Sequence, residues 1–338
     1  MELWFDKIKY LATEHLKAGI RDGVLYLHRL QKTELPPLPE GIVELVCTNT
    51  NLVEIPPLPV GLELFDCGGN SKLSSLPPLP IGLKILQCGK CDNLTSLPEL
   101  PSSLKVLSCW NTGITQLPTL PETIEELYCS YIQLTNLLEL PKGLKKLSIE
   151  NLIPIPHCYY YITYDDITKD LPQIPPATLP NLPVGLKSLC CVGINLIELP
   201  PLPPNLNVLE CAYNPLTKLP RLPRGLERLN CSCTKIKELP PLPSGLSLLW
   251  VRQTLLTELP ELPDNLELTP VSVSHCPYLP IIECISGEGC EGYKKRWLQL
   301  QREQSKKRIH ERTQAIKEEL ISIQSSREHF PFDNHLTV

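Results

Sequence analysis

Fifteen cysteines and seven histidines are the residues of this 338-residue chain best able to do chemistry. Cys88-x-x-Cys91 has the spacing of a redox pair or of half a zinc site, and His275, Cys276, Cys284 and Cys290 gather further on. The second group matches no zinc-ligand spacing, and the other histidines are scattered. The chain contains no nucleophile elbow, phosphate loop or metal-spaced histidine pair. The expectation is a non-enzymatic protein without cofactor or metal.

Spacing decides what the thiols are for. Cys47, Cys67, Cys88, Cys109, Cys129, Cys191, Cys211 and Cys231 fall at one phase of a repeat, and Ile149, Val251 and Val271 hold that phase elsewhere. A cysteine that alternates with Ile and Val acts as a small apolar residue in an inward pocket. Cys91 stands three residues after Cys88, at a turn position usually held by Asn. The N-terminus is broken by charges from Glu2 to Lys17, unlike a signal peptide. A reducing, cytoplasmic setting with free thiols is therefore expected. Thiols on adjacent strands would also sit slightly too far apart for a disulfide, whose Cβ atoms are about 3.8 Å apart.

The repeat itself is L-P-x-L-P-x-G-L-x-x-L-x-C. It begins at Leu35, Ile55, Leu76, Leu97, Leu117, Leu137, Leu179, Leu199, Leu219, Leu239 and Leu259. The spacing is 20 or 21 throughout, except for 42 between Leu137 and Leu179. That gap predicts one irregular unit, residues 153–178, and about twelve repeats over 35–278. A period of about 20–29 with this leucine pattern is the leucine-rich repeat signature. Alternation about the strand turns Leu107 and Cys109 inward and Ser108 and Trp110 outward. With 37 prolines in the chain, the L-P-x-L-P half cannot feed a ladder or form a helix, so it runs as polyproline-II backbone. The predicted fold is a mainly β solenoid, a horseshoe with a parallel concave sheet, a polyproline-II convex side and helical caps at both ends. Such stacking also explains how a long chain with one Met and 6% aromatics avoids needing a single large core.

The caps follow from apolar spacing. Trp4, Phe5, Ile8, Leu11, Ala12, Leu16 and Ile20 predict a helix over 3–20, and Leu25 and Leu27 a partial strand, within an N-terminal segment 1–34. Residues 279–338 form the C-terminal segment. Its helical part has Tyr293, Trp297 and Leu300 on one stripe and Ile309, Ile316, Leu320 and Ile323 on another. Between them lie eight Lys/Arg and two Glu in residues 294–312, Lys306, Lys307 and Arg308 among them. This basic run is either a solvated face of a capping helix or a contact for nucleic acid or acidic membrane. The chain as a whole, at −5, attracts neither.

The repeat unit resembles the short, proline-rich bacterial class of leucine-rich repeats found in secreted effectors of the IpaH and YopM type. The resemblance covers residues 24–278 and implies the horseshoe fold, an N-terminal helical cap and a role in binding host proteins. Cysteine at the ladder phase, where those effectors usually have Val, departs from the class and is similar to repeat proteins of amoeba-associated microbes and large DNA viruses. The tail segment Ala315-Ile316-Lys317-Glu318-Glu319-Leu320 also resembles repeat proteins of large DNA viruses. Enzymatic members of the effector class append a ubiquitin-ligase domain with a C-x-D nucleophile. No C-x-D occurs here, so that activity is not carried over.

The outward strand positions then become the candidate site. Trp110, Tyr128 and Tyr131 fall on adjacent strands as one patch, and Tyr213, Arg228, Trp250 and Arg252 as a second. Aromatic and Arg side chains are the usual anchors of protein interfaces. Tyr159 and Tyr161, in a tyrosine-rich stretch of the irregular unit, and the basic Lys306, Lys307 and Arg308 are secondary candidates. The expected activity is binding of a protein partner on the concave face by a monomeric scaffold.

Overall fold

A computed structural model describes residues 18–21, 23–27, 33–132, 139–150, 178–267 and 276, together with 295, 299, 302–303, 306–307 and 309–318. The chain divides into two compact units, one of Met1–Leu266 with Val271–Pro280 and the other of Glu267–Pro270 with Ile281–Val338.

The first unit is built on a single twelve-stranded sheet whose spatial order is the chain order. Its strands are β1 Ala18–Arg21, β2 Val24–Leu27, β3 Glu44–Val46, β4 Leu64–Asp66, β5 Ile85–Gln87 and β6 Val106–Ser108. They continue with β7 Glu126–Tyr128, β8 Lys146–Ser148, β9 Ser188–Cys190, β10 Val208–Glu210, β11 Arg228–Asn230 and β12 Leu248–Trp250. From β2 onward every pair is parallel and in register, so Leu107 stands beside Leu127 and Ser108 beside Tyr128. Each three-residue strand buries its middle side chain and leaves the outer two facing outward. This is the parallel solenoid that the period implies.

Short turns bring the proline arms into the strands. From the repeat of Leu62 to that of Leu266, the Leu or Ile at this turn donates its N–H to the carbonyl of the proline three residues back, as Leu62 does to Pro59 O (3.1 Å) and Leu226 to Pro223 O (3.1 Å). A Cβ on Gly61 or Gly225 would meet nothing within 4 Å, and neither has a positive φ. Other residues therefore take the glycine position, and two of them tie the turn to the preceding repeat. Ser103 Oγ donates to Leu83 O (2.7 Å) and Thr123 Oγ1 to Leu104 O (2.8 Å).

The core is a stack of leucines and thiols. Leu45, Leu86, Leu107, Leu189 and Leu229 are fully buried, as are Cys47, Cys67, Cys88, Cys109, Cys191, Cys211 and Cys231. The twelve described cysteines are free thiols. Three residues after each thiol stands a second buried row, and it closes the turn from inside. Asn70 Nδ2 donates to both Cys67 O and Cys47 O (2.8 Å each), and Thr50 donates to Asn70 Oδ1. Asn214 Nδ2 likewise donates to Cys211 O (3.0 Å) and Cys191 O (2.7 Å). Thr112, Thr234 and Thr254 each hold the carbonyl three residues back. Cys91 belongs to this row: its Sγ donates to Cys67 O (3.4 Å). Both halves of Cys88-x-x-Cys91 are core. Cys276 also takes such a place, donating to Val251 O (3.0 Å), while His275, Cys284 and Cys290 lie outside the described residues.

Two expectations are corrected. The helix expected over 3–20 does not reach its C-terminal end, because Ala18–Arg21 is a strand paired antiparallel with Val24–Leu27. Ile20 sits opposite Leu25, and Gly23 before β2 has φ 82°, so the Asp-Gly dipeptide of the sequence is a hairpin signal. Residues 1–17 lie outside the described residues. Second, the 42 residues from Leu137 to Leu179 hold one strand among the described residues, β8, where two repeats would supply two. β8 pairs directly with β9, Leu147 beside Leu189, and Ile149 N bonds Cys190 O (2.8 Å) just as Cys129 N bonds Ser148 O. In the second unit residues 309–318 are helical as expected, and Ile309 and Ile316 are exposed.

Burial pushes the thiols of Cys109, Cys191 and Cys231 up to about 12. They are protonated in the fold and ionise first in the unfolded chain, where the ordinary value is about 8.5. Their contribution to stability is thus intact below about pH 8.5 and lost as pH rises from there, each thiol removing up to about 1.4 kcal/mol per pH unit. Urea midpoints measured in reductant should fall steeply above pH 9, and the triple variant Cys109→Val, Cys191→Val, Cys231→Val should flatten that slope.

Candidate interaction surface

Three rows of side chains make the open face of the sheet. From β2 onward the first and third positions of each strand face outward, and a third row follows two residues after the strand, at Trp110, Glu150 and Arg252. One residue beyond this row the backbone turns through a left-handed conformation in repeat after repeat, with Asn49, Lys90, Asn111, Tyr131, Tyr213, Cys233 and Gln253 all at φ between 52° and 59°. This places Tyr131 (58°) and Tyr213 (57°) where Asn sits more comfortably.

The first expected patch is real as a grouping. Trp110, Tyr128 and Tyr131 line one hollow of about 480 Å³ together with Gln87, Val106, Ser108, Glu126, Ser130, Ser148 and Glu150. Trp110 lies over the backbone of the preceding strand: a Cβ on Gly89 would stand 2.4 Å from its Nε1, and Lys90 Nζ is 4.9 Å from the ring centre. Tyr128 OH donates to Glu126 Oε2 (2.7 Å), and Lys146 pairs with Glu126 Oε1 (2.9 Å). Burial, helped by that carboxylate, pushes the Tyr128 phenol up to about 12. Tyr131 OH donates to Glu150 Oε2 (3.2 Å), while Ser148 Oγ (3.3 Å) and Cys190 Sγ (3.1 Å) donate to Glu150 Oε1. Ser130 and Ser148 share a hydrogen bond at 3.0 Å.

The second expected patch is looser. Trp250 stands beside Asn230 in the parallel register, and Arg228 beside Leu248. Tyr213 is half-buried against Cys233 and Arg252, and burial pushes its phenol up to about 12. Cys233 Sγ in turn donates to Gln253 Oε1 (2.9 Å). Arg228 acts on Glu210, partly offsetting the burial that raises that carboxyl. Of the secondary candidates, Tyr159, Tyr161 and Arg308 lie outside the described residues. Lys306 and Lys307 are exposed on helix, Lys307 within 4.0 Å of Glu311.

Sequence reasoning missed the charged part of the hollow. Following the row after each buried leucine finds Ser108, Tyr128 and Ser148. Glu126 and Lys146 belong to the row before it, and the same alternation marks them as outward. Cys190 was concealed by its neighbour Cys191, which takes the buried ladder position while Cys190 faces out.

No protein-family model and no curated protein matches the chain. Among solved structures, YopM from Yersinia enterocolitica WA-314 aligns with a TM-score of 0.57 at 28% identity, over 76% of this chain and 61% of its own. The chain is a leucine-rich repeat solenoid, similar in fold to that YopM. A leucine-rich effector YopM from Yersinia pestis also aligns, with a TM-score of 0.45 at 26% identity over 77% of this chain and 86% of its own. The functional domain of InlJ from Listeria monocytogenes, which includes a cysteine ladder, aligns with a TM-score of 0.47 at 20% identity, over 72% and 55%. This leucine-rich repeat chain spans about three fifths of the length of the first YopM.

The contact of Trp110 with Gly89 is testable. In Gly89→Ala the new methyl would overlap the indole, at 2.4 Å from Nε1, and the backbone there has no positive φ to strain. The indole should swing away, changing the near-ultraviolet circular dichroism, while the unfolding midpoint moves by no more than about 1 kcal/mol.

Proposed function

We propose that this solenoid is a non-catalytic interaction scaffold whose open sheet face, the concave side of the horseshoe, receives a protein partner at the hollow between Trp110, Tyr128 and Tyr131. The carrying observation is that hollow, where three half-buried aromatics on adjacent repeats meet polar groups above a continuous leucine core. Interface anchors are most often such aromatic side chains seated among polar neighbours. The second patch, Tyr213, Arg228, Trp250 and Arg252, extends the same face by several repeats. On the resemblance of the repeat unit to that of secreted bacterial effectors, we propose a host protein as the partner and a reducing cytoplasm as the setting. The free thiols suit that compartment. Among the described residues no helix is long and apolar enough to cross a membrane.

Photo-crosslinking tests the face directly. With a crosslinking residue at Ser108, in the hollow, or at Ile81, 84% exposed on the turn before β5, a partner in an extract of the source cells should be trapped at 108 and not at 81. Adding Trp110→Ala, Tyr128→Ala, Trp250→Ala and Arg252→Ala should abolish the trapped band, since each anchor is worth about 2 kcal/mol or more. Trapping that survives all four substitutions would rule out the face.

A further inference from the structure

We infer that the group this hollow takes from its partner is a cationic side chain, an arginine or lysine, whose charge rests against Glu150. The inference depends on the reading that this face binds a protein, and it names the chemistry of what enters.

Glu126 and Glu150 line the same hollow but differ in how they are satisfied. Glu126 has a lysine at 2.9 Å and a phenol at 2.7 Å. Among the described residues the hydrogen bonds to the Glu150 carboxylate come from neutral donors: Tyr131 OH at 3.2 Å, Ser148 Oγ at 3.3 Å and Cys190 Sγ at 3.1 Å. Hydroxyl bonds to a carboxylate ordinarily measure about 2.5–2.7 Å, and a thiol is a weak donor. No lysine or arginine among the described residues forms a salt bridge with it. Among the described residues, Glu150 is thus a half-buried carboxylate met by long, neutral hydrogen bonds and by no cation.

The surroundings select the sign of the ligand. Cys190 lies between Ser148 and Glu210 in the sheet register, so a second carboxylate stands two strands from Ser148. The Glu210 carboxyl is raised by burial, and Glu150 adds to that rise. An acidic side chain entering here would meet Glu126 and Glu150 together. An apolar one would strip water from Glu150 and pair it with nothing, which is costly. A cationic one relieves both problems, and its aliphatic stem has Trp110, Tyr128 and Val106 to lie against. The volume, about 480 Å³, suits a long side chain with part of its backbone rather than a bare ion. Among the described residues no trio of His, Cys, Asp or Glu is placed to hold a metal.

Calorimetric titration of the full-length protein with a tetra-arginine peptide, and with the tetra-citrulline peptide of the same shape, tests this. The arginine peptide should bind, the citrulline peptide at least about tenfold more weakly, and Glu150→Gln should weaken the arginine peptide by about tenfold. Glu261→Gln, an exposed carboxylate in another repeat, should change nothing. Equal binding of the two peptides, unchanged binding to Glu150→Gln, or an equal loss in Glu261→Gln would each overturn the inference. If the inference fails while crosslinking from position 108 still traps the partner, the binding face stands and only its chemistry is wrong. Absence of that crosslink removes both.

Discussion

The open face exists because of a row that never reaches it. At the second position of each strand from β2 onward a leucine, or Phe65 once, is buried, and two residues on stands a thiol or an aliphatic side chain. Each of these touches its counterparts one repeat away, so burial is shared along the chain rather than gathered at a centre. Burying one leucine is worth about 1.5–3 kcal/mol, and the row repeats it at every coil. The carbonyls at the thiol position complete the arrangement. They point into the core, where an unpaired carbonyl would be expensive, and Asn70 and Asn214 each answer two of them from successive coils. Those two asparagines tie neighbours together, whereas Thr112 and Thr234 close their own coil.

With the inward positions fixed, the outward ones are free to differ, and their differences are chemical. Toward the strand entry, Glu63 pairs with Lys84, and Glu125 with both Lys105 and Lys145. Being exposed, those pairs add little stability. Over the strands the character changes from charge ladder to aromatic hollow between β5 and β8. The left-handed turn at Tyr131 points to a cost accepted there, and the hydroxyl of that residue meets Glu150.

Much of this was legible from periodicity. A side chain's facing follows from its phase, so Leu104, Leu107, Cys109, Thr112 and Ile114 could be placed inside, and all five are buried. The interchange of Cys with Ile and Val made the thiols core residues before any coordinate was known. Phase also grouped Trp110, Tyr128 and Tyr131. What it could not do was count coils through the 42-residue gap. Two repeats and one repeat with an excursion have the same length, and only the pairing of Leu147 with Leu189 separates them. The β1–β2 hairpin is hidden for a different reason: the apolar spacing over 3–20 reads as helical, and the Asp-Gly dipeptide before β2 is only a two-residue signal beside it. Side-chain partners such as Tyr131 with Glu150, 19 residues apart, are set by register and rotamer together. Spacing fixes only the first.

Thiol accessibility in the native state tests the central claim most directly. A maleimide pulse on the folded protein, mapped residue by residue by mass spectrometry, should leave Cys109 and Cys211 unmodified except at the rate of global unfolding, since both are fully buried. Labelling of either at the rate of a free thiol, under conditions where the sheet remains intact, would contradict it.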